Sequence, residues 1–288
     1  MAIVVTEYVL LILASYFIGN ISWARILSKK RHEDITKKGS GNPGTMNMLR
    51  NFGAKLAILT LILDAVKGVI PAVVGMVLFK YTGLNGDIGL YVAGLSAIIG
   101  HMFPVIYKFK GGKGVATSLG VFMVANPLWL VLAFIVGFLY VWFFDYGSVA
   151  SLSIVSIMII IQGYQNMDKY SGDKTTLLVV NLLIFAIFVL IWVAHHQNIA
   201  RLLVGKENKA NLQKSFKNKL KEQKKEEVKT EYHEQKSELK HEFKKLKAEY
   251  RKDVKAKKKE LKKQYKTIRS TMKQSNAELM TGELEEKQ

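Results

Sequence analysis

Ser40, Asn42, Asn47 and Arg50 fall within one stretch, GSGNPGTMNMLR at residues 39–50, together with Gly41, Gly44 and the hydroxyl of Thr45. Hydroxyls, amides, a guanidinium and glycine-exposed backbone N–H groups are all donors to anionic oxygen. The same residue types also make a tight interhelical turn capped by Ser and Asn. A second stretch, GHMFPVIYKFKGGKGVAT at 100–117, carries Lys108, Lys110 and Lys113 and no acid. Its Gly111, Gly112 and Gly114 precede a helical run starting at Val115, and a helix N-terminus favours phosphate. The spacing is not that of a GxxxxGK[ST] loop. The alternative is a flexible turn with lysines that set membrane orientation. His101 and Pro104 end the apolar run before it, and a histidine there serves packing or capping as readily as chemistry.

A third stretch, HHQNIARLLVGKEN at 195–208, clusters His195, His196, Asn198, Arg201 and Glu207. Adjacent histidines point different ways on a helix, so they do not make a metal site, and no other group completes metal-ligand spacing. No metal or other cofactor is expected. Asp64 and Lys67 lie three apart inside an apolar run and share a helix face, as a functional pair in a polar cavity or as a structural ion pair. The chain has no cysteine, no GxSxG and no HxxxxD, so no protein nucleophile is evident.

The elements that must position these groups are membrane helices. Of 288 residues, 49% are hydrophobic, yet the formal charge is +19. The two properties are segregated. Residues 206–288 hold 26 Lys+Arg and 15 Asp+Glu, whereas residues 1–205 hold 16 and 8 and nearly all the long apolar runs. We therefore expect a membrane domain at 1–205 and a basic appendage at 206–288. Runs near 3–25, 54–79, 88–106, 114–126, 128–144, 148–164 and 176–194 read as seven spans of an all-α bundle, the fourth short and ended by Asn126-Pro127. The first lacks the order of a cleaved signal and is expected to stay as a helix. Arg25, Lys29, Lys30, Arg31, Lys37 and Lys38 follow the first span, and Lys108, Lys110 and Lys113 the third. The intervening loops are poor in net positive charge. Seven spans with the N-terminus outside put every basic loop and the tail in the cytoplasm.

The four stretches, in this order, resemble the acyl-phosphate:glycerol-3-phosphate acyltransferases of bacterial membranes, the PlsY family. The first family motif, SGNxGATNxxR, is matched from Ser40 to Arg50, except that Ala-Thr is Thr45-Met46 here, which moves a hydroxyl by one position. The second, GHxxPxxxxFxGGKGVAT, is matched from Gly100 to Thr117. The third, HxxNIxRLxxGxE, is matched by Asn198-Ile199, Arg201-Leu202 and Gly205 to Glu207, with His196 taken as the motif histidine and His195 in reserve. The DxxKG of the second span is matched by Asp64, Lys67 and Gly68.

The resemblance covers about residues 1–208. It implies transfer of a fatty acyl group from acyl phosphate to the 1-hydroxyl of glycerol 3-phosphate, with lysophosphatidic acid and phosphate as products. Ser40, Arg50, Lys67, Lys113, His196 and Asn198 are the implied catalytic residues. Gly41, Asn42, Gly44, Thr45, Asn47, Asp64, His101, Gly111, Gly112, Gly114, Thr117 and Arg201 are the implied substrate contacts, and Glu207 has a structural role. Glycerol 3-phosphate is placed on Lys113, Thr117 and the backbone of Gly111, Gly112 and Gly114. Acyl phosphate is placed near Ser40, Asn42, Asn47 and Arg50, and the exchanged placement of the two substrates fits the same residues. Acyl phosphate is already activated, so catalysis reduces to positioning and charge stabilisation. The competing class is an organic-phosphate transporter, against which stand the lack of an internal repeat and the gathering of polar groups at one face.

Beyond Glu207 the apolar residues from Leu239 to Met272 step mostly by three or four, a helix with a narrow stripe whose heptad slips after Tyr250. Three readings fit: a solvated or partly disordered helix, a self-associating or partner-binding coiled coil, or a binder of anionic lipid. No nucleic-acid recognition motif is present.

Overall fold

The structure, a computed structural model, describes residues 2–285, and among them every regular element is helical. The helices are α1 (Ala2–Asn20), α2 (Trp23–Lys29), α3 (Thr45–Tyr81), α4 (Gly86–Met102), α5 (Val115–Ala125), α6 (Pro127–Phe144), α7 (Gly147–Lys169), α8 (Lys174–Ala194), α9 (His196–Leu203) and α10 (Leu212–Glu285). Among the described residues six segments are long and apolar enough to cross a membrane: Val5–Lys29, Thr45–Tyr81, Gly86–Tyr107, Pro127–Phe144, Gly147–Lys169 and Lys174–Ala194. The protein is an integral membrane protein.

The fourth expected span, 114–126, is a helix of only 11 residues. That is about 17 Å, roughly half a hydrocarbon core. It still changes ends of the bundle. Its entry loop is pinned to the end of α4, where Gly111 N–H donates to the Met102 carbonyl (3.2 Å) and Gly112 N–H to that of His101 (3.1 Å). At its other end the Asn126 amide donates to Gln165, near the end of α7. The start of α7 returns to the first end, with Gly147 against Met46 at the start of α3. So α5 is a seventh pass in connectivity and a short one in length.

Glycines set the helix spacing. A Cβ on Gly68 would sit 2.1 Å from the Thr117 carbonyl oxygen, and one on Gly120 would sit 2.0 Å from that of Ala65, so α3 and α5 meet backbone to backbone. Gly75 and Gly89 do the same for α3 and α4. Small residues at such crossings let dispersion and weak polar contacts hold helices that lipid would otherwise solvate equally well. Within α3, Gly53 at φ 81° and ψ 175° breaks the helix after its first two turns. The short N-terminal piece carrying Asn47 and Arg50 is thereby set apart from the long apolar piece.

The compact unit that contains the bundle extends through Lys219, and a second unit begins at Leu220. Residues just beyond 205, grouped with the tail by charge, dock on the end of α6. Ala210 N–H donates to the Asp145 carbonyl (2.8 Å), and the Phe216 and Trp142 rings are 5.9 Å apart. From Leu220 onward α10 continues as unbroken helix, with its large apolar side chains through Met272 exposed.

Candidate active site

Three loops and one helix end converge at the end of the bundle where α3 and α5 begin. The first loop is held by Asn47, which is 1% exposed. Its Nδ2 donates to the carbonyls of Lys38 (2.9 Å) and Ile35 (3.3 Å), and its Oδ1 accepts from Ser40 N–H (3.2 Å). Both ends of the amide are thus spent on folding the loop over α3. The clamp presents Ser40, whose Oγ accepts from Arg50 Nη2 (3.3 Å).

The second loop turns back over His101. A Cβ on Gly112 would lie 2.1 Å from His101 Nε2, and one on Gly111 would lie 2.1 Å from the His101 carbonyl oxygen. His101 is 7% exposed, with Nδ1 4.0 Å from Asp64 Oδ1. Asp64 in turn pairs with Lys67 Nζ at 3.0 Å, and that ammonium also donates to the carbonyls of Ile21 (2.7 Å) and Gly19 (3.2 Å). The loop leaves Gly111–Gly112 with Lys113 and Gly114, the latter at φ 82°, and runs into the N-terminus of α5. The first-turn N–H groups of α5 have no intrahelical acceptor, and at this end Gly114, Val115 and Ala116 line a cavity.

The third group comes from the α8–α9 junction. Lys113 donates to Asn198 Oδ1, and the Asn198 amide donates to Glu207 Oε1 (2.6 Å). Arg201 Nε donates to Glu207 Oε2 (2.9 Å). Burial drives Glu207 toward protonation, but the bonds it accepts, from Asn198 and Arg201 among others, outweigh that and hold its pKa below the usual value. Burial, reinforced by the Arg201 charge, lowers Lys113 to about 8. His195 Nδ1–H donates to the Ile191 carbonyl (2.7 Å), and burial with the nearby Lys113 charge lowers its pKa to about 4. The ring is neutral at pH 7, with Nε2 as its acceptor.

Two cavities meet at this cluster. One, about 790 Å³, is lined at its polar walls by Arg25, Lys108, Lys110, Gly111, Gly112 and His196. The other, about 430 Å³, has Arg50, Thr45, Gly114, His195 and Glu207 at one end and Ile58, Leu61, Leu119, Phe134 and Phe138 along its length. Ser40, Asn42, Lys113, Asn198 and Arg201 line both. A cationic polar chamber therefore shares one wall of donors with an apolar groove between helices. Such a pair of cavities can bring two anionic head groups together while one carries a hydrocarbon chain.

A family model described as glycerol-3-phosphate acyltransferase matches residues 9–205. The chain belongs to the glycerol-3-phosphate acyltransferase family. It is 39% identical over 208 residues to the glycerol-3-phosphate acyltransferase of Syntrophotalea carbinolica, covering 71% of this chain and 98% of that one. It is also 39% identical over 203 residues to that of Finegoldia magna, covering 70% and 95%. Among solved structures it matches PlsY (YgiH), an integral membrane glycerol 3-phosphate acyltransferase, in its glycerol 3-phosphate form. The TM-score is 0.60 at 32% identity, over 70% of this chain and 95% of that one. The lysophosphatidic acid form of PlsY matches with a TM-score of 0.58.

In this acyltransferase most residues singled out from sequence reach the cluster, with some roles redistributed. Ser40, Gly41, Asn42, Gly44, Thr45, Arg50, Lys113, Gly114, Asn198 and Arg201 all line one cavity or both. Thr45 Oγ1 has no hydrogen-bond partner among the described residues, and Thr45 lines the groove, so the displaced hydroxyl still reaches it from its new position. Asn47 lines the groove as a loop clamp. Lys67 is fully paired and ties α3 to the α1–α2 break. Thr117 is 0% exposed, packs on Gly68, and lines neither cavity. Gly111 and Gly112 line the polar chamber, but their N–H groups are already bonded to the end of α4, so they do not stand free for a phosphate. Of the two histidines, His195 is 2% exposed and faces the groove, whereas His196 is exposed on the polar chamber. His195 is also the one three residues before Asn198, which is the motif's own spacing, whereas His196, taken as the motif histidine from sequence, is two residues before it. Glu207, expected to be structural, is the hub that aligns Asn198 and Arg201. Arg25, which in the sequence is one of the basic residues after the first span, belongs to the site as well. It lines the polar chamber, donates to the Lys110 carbonyl (2.7 Å) and lies 4.6 Å from the Tyr107 ring centroid.

Proposed function

We propose that the chain transfers an acyl group from acyl phosphate to the 1-hydroxyl of glycerol 3-phosphate, giving lysophosphatidic acid and inorganic phosphate. The observation that carries this reading is the shared wall of donors between a polar chamber and an apolar groove. The donor's hydrocarbon chain lies along Ile58, Leu61, Phe134 and Phe138. Its phosphate meets Ser40, Thr45, Arg50 and the open N-terminus of α5. Glycerol 3-phosphate enters the chamber lined by Arg25, Lys108, Lys110 and Lys113. Its hydroxyl oxygen attacks the acyl carbon, the acyl carbon–oxygen bond to phosphate breaks, and the departing phosphate takes the hydroxyl proton. Lys113 faces both phosphates and offsets the charge that builds as phosphate leaves. Neutral His195 orients the acceptor rather than removing its proton, since its low pKa makes it a weak base.

The polar end faces the cytoplasm of a bacterial cell, with the catalytic membrane domain, expected at 1–205, extended through Lys219 and the chain from Leu220 as a separate tail. The positive-inside rule supports that orientation. The test is acyl transfer by purified protein to labelled glycerol 3-phosphate, with palmitoyl phosphate or palmitoyl-CoA as donor. Product from the phosphate donor alone is expected. Equal or better use of the thioester overturns the donor assignment.

A further inference from the structure

The family match ends at residue 205, and relatives matched over nearly their whole length leave the tail unpaired. The tail nevertheless carries an order that heptads miss. Val228, Leu239, Tyr250, Leu261 and Met272 recur every 11 residues, and so do Tyr232, Phe243, Val254 and Tyr265. A third column alternates Gln235, Leu246, Lys257 and Ile268. Eleven residues over three turns is about 98° per residue, so the columns form one stripe about 65° wide whose drift against a 3.6-residue helix, about 20° per repeat, is opposite in sign to a heptad's and is taken up by a right-handed supercoil. All the apolar members are exposed on α10.

The flanks of the stripe carry opposite charges. About 65° to one side lie Lys236, Lys247, Lys258 and Arg269, with a second basic column beyond at 229, 240, 251, 262 and 273. The same angle to the other side brings Glu231, Glu242 and Asp253, with Glu238, Glu249 and Glu260 beyond. A helix lying on an anionic bilayer needs cations on both flanks, and here one flank would be repelled. Two copies related by a two-fold axis along the helices face basic flank to acidic flank on both sides of the stripe. An antiparallel pair faces like against like.

We infer that residues 228–272 form a parallel two-helix coiled coil with a second copy of this chain, right-handed or nearly straight as an 11-residue period dictates. Gln235 and Lys257 in the third column penalise shifted registers. Copies inserted in one membrane with the same orientation also begin their tails on the same side, as a parallel pair requires.

The chain has no cysteine, so single cysteines report pairing without background. Val228→Cys, Met272→Cys and, on the opposite face, Ser237→Cys are placed in the full-length protein in detergent and oxidised. Val228→Cys and Met272→Cys should each form disulfide-linked dimers alone, and Ser237→Cys should not. Residues 228 and 272 are equidistant from 250, so cross-linking only when those two variants are mixed would mean an antiparallel pair and overturn the proposal. Absence of cross-links at either, or equal cross-linking at Ser237→Cys, also overturns it.

Reversing one flank as Glu231→Lys/Glu242→Lys/Asp253→Lys should weaken self-association by about tenfold or more. The reverse set, Lys236→Glu/Lys247→Glu/Lys258→Glu, should behave likewise, and mixing the two should restore pairing. Both should keep acyltransferase activity, which reports that the bundle is intact. If mixing restores nothing, or if the tail binds phosphatidylglycerol vesicles with the dimer unchanged by either set, charge complementarity between copies is not what the tail is built for.

Discussion

Gly112→Ala separates two explanations of the glycine pair in the loop before α5. A methyl group at 112 would lie 2.1 Å from His101 Nε2 and 2.8 Å from Cε1, where ordinary carbon contacts are near 3.5–4.0 Å. His101 cannot swing clear, since it is buried with Asp64 on its other side. Relieving an overlap of more than 1 Å in a packed interior costs about 1–3 kcal/mol. Gly112→Ala should therefore lower the midpoint of thermal unfolding in detergent by several degrees. The partner in the cycle is His101→Ala, which vacates the space. The double variant should lose less stability than the sum of the two singles, a favourable coupling of about 1 kcal/mol or more. Gly111→Ala should be worse than Gly112→Ala, because its methyl meets backbone carbonyl oxygens of His101 and Met102 at 2.1 and 2.6 Å, which no rotamer can move. The measurements are melting of each variant after gel filtration and the Michaelis constants for both substrates. If Gly112→Ala melts with the parent and raises only the constant for glycerol 3-phosphate, the glycine serves the ligand directly. Close packing against His101 is then not what requires a glycine at 112.

Lys113 titrates at about 8 in the free protein, so kcat/KM should show an alkaline limb near that pH as its positive charge is lost. Lys113→Arg should move the limb out of range, and an unchanged limb would assign it elsewhere. The folded pKa lies below the ordinary lysine value, so between about 8 and 10.5 the unfolded chain binds more protons, and this group's contribution to stability rises with pH across that window. Leu61→Trp fills the apolar groove away from Arg50, and should cut turnover with palmitoyl phosphate relative to decanoyl phosphate severalfold. Equal losses with both donors would place the chain outside the groove.

Much of the site was legible in the sequence because its donors come in three short runs, each brought to the same end of the bundle by membrane-spanning helices. Hydropathy gives the spans, and connectivity alone then puts residues 39–50, 108–114 and 195–207 together. The tail's helical period was equally local and needed no tertiary contact. The division of labour within the runs was different, because it depends on what each atom meets across helix boundaries. Asn47 and Thr117 have residue types suited to substrate, yet the loop carbonyls take the amide of the first, and the second is packed against Gly68 in the α3 interface away from both cavities, with its hydroxyl unpartnered among the described residues. Lys67 could have faced a cavity until the carbonyls of Gly19 and Ile21, more than forty residues away, filled its remaining valences. Gly111 and Gly112 were assigned to a phosphate because glycine permits any close neighbour. Only the folded chain says that the neighbour is His101. Residue type and local spacing fix what a group can do, while close packing between distant segments decides which of those possibilities is already used up.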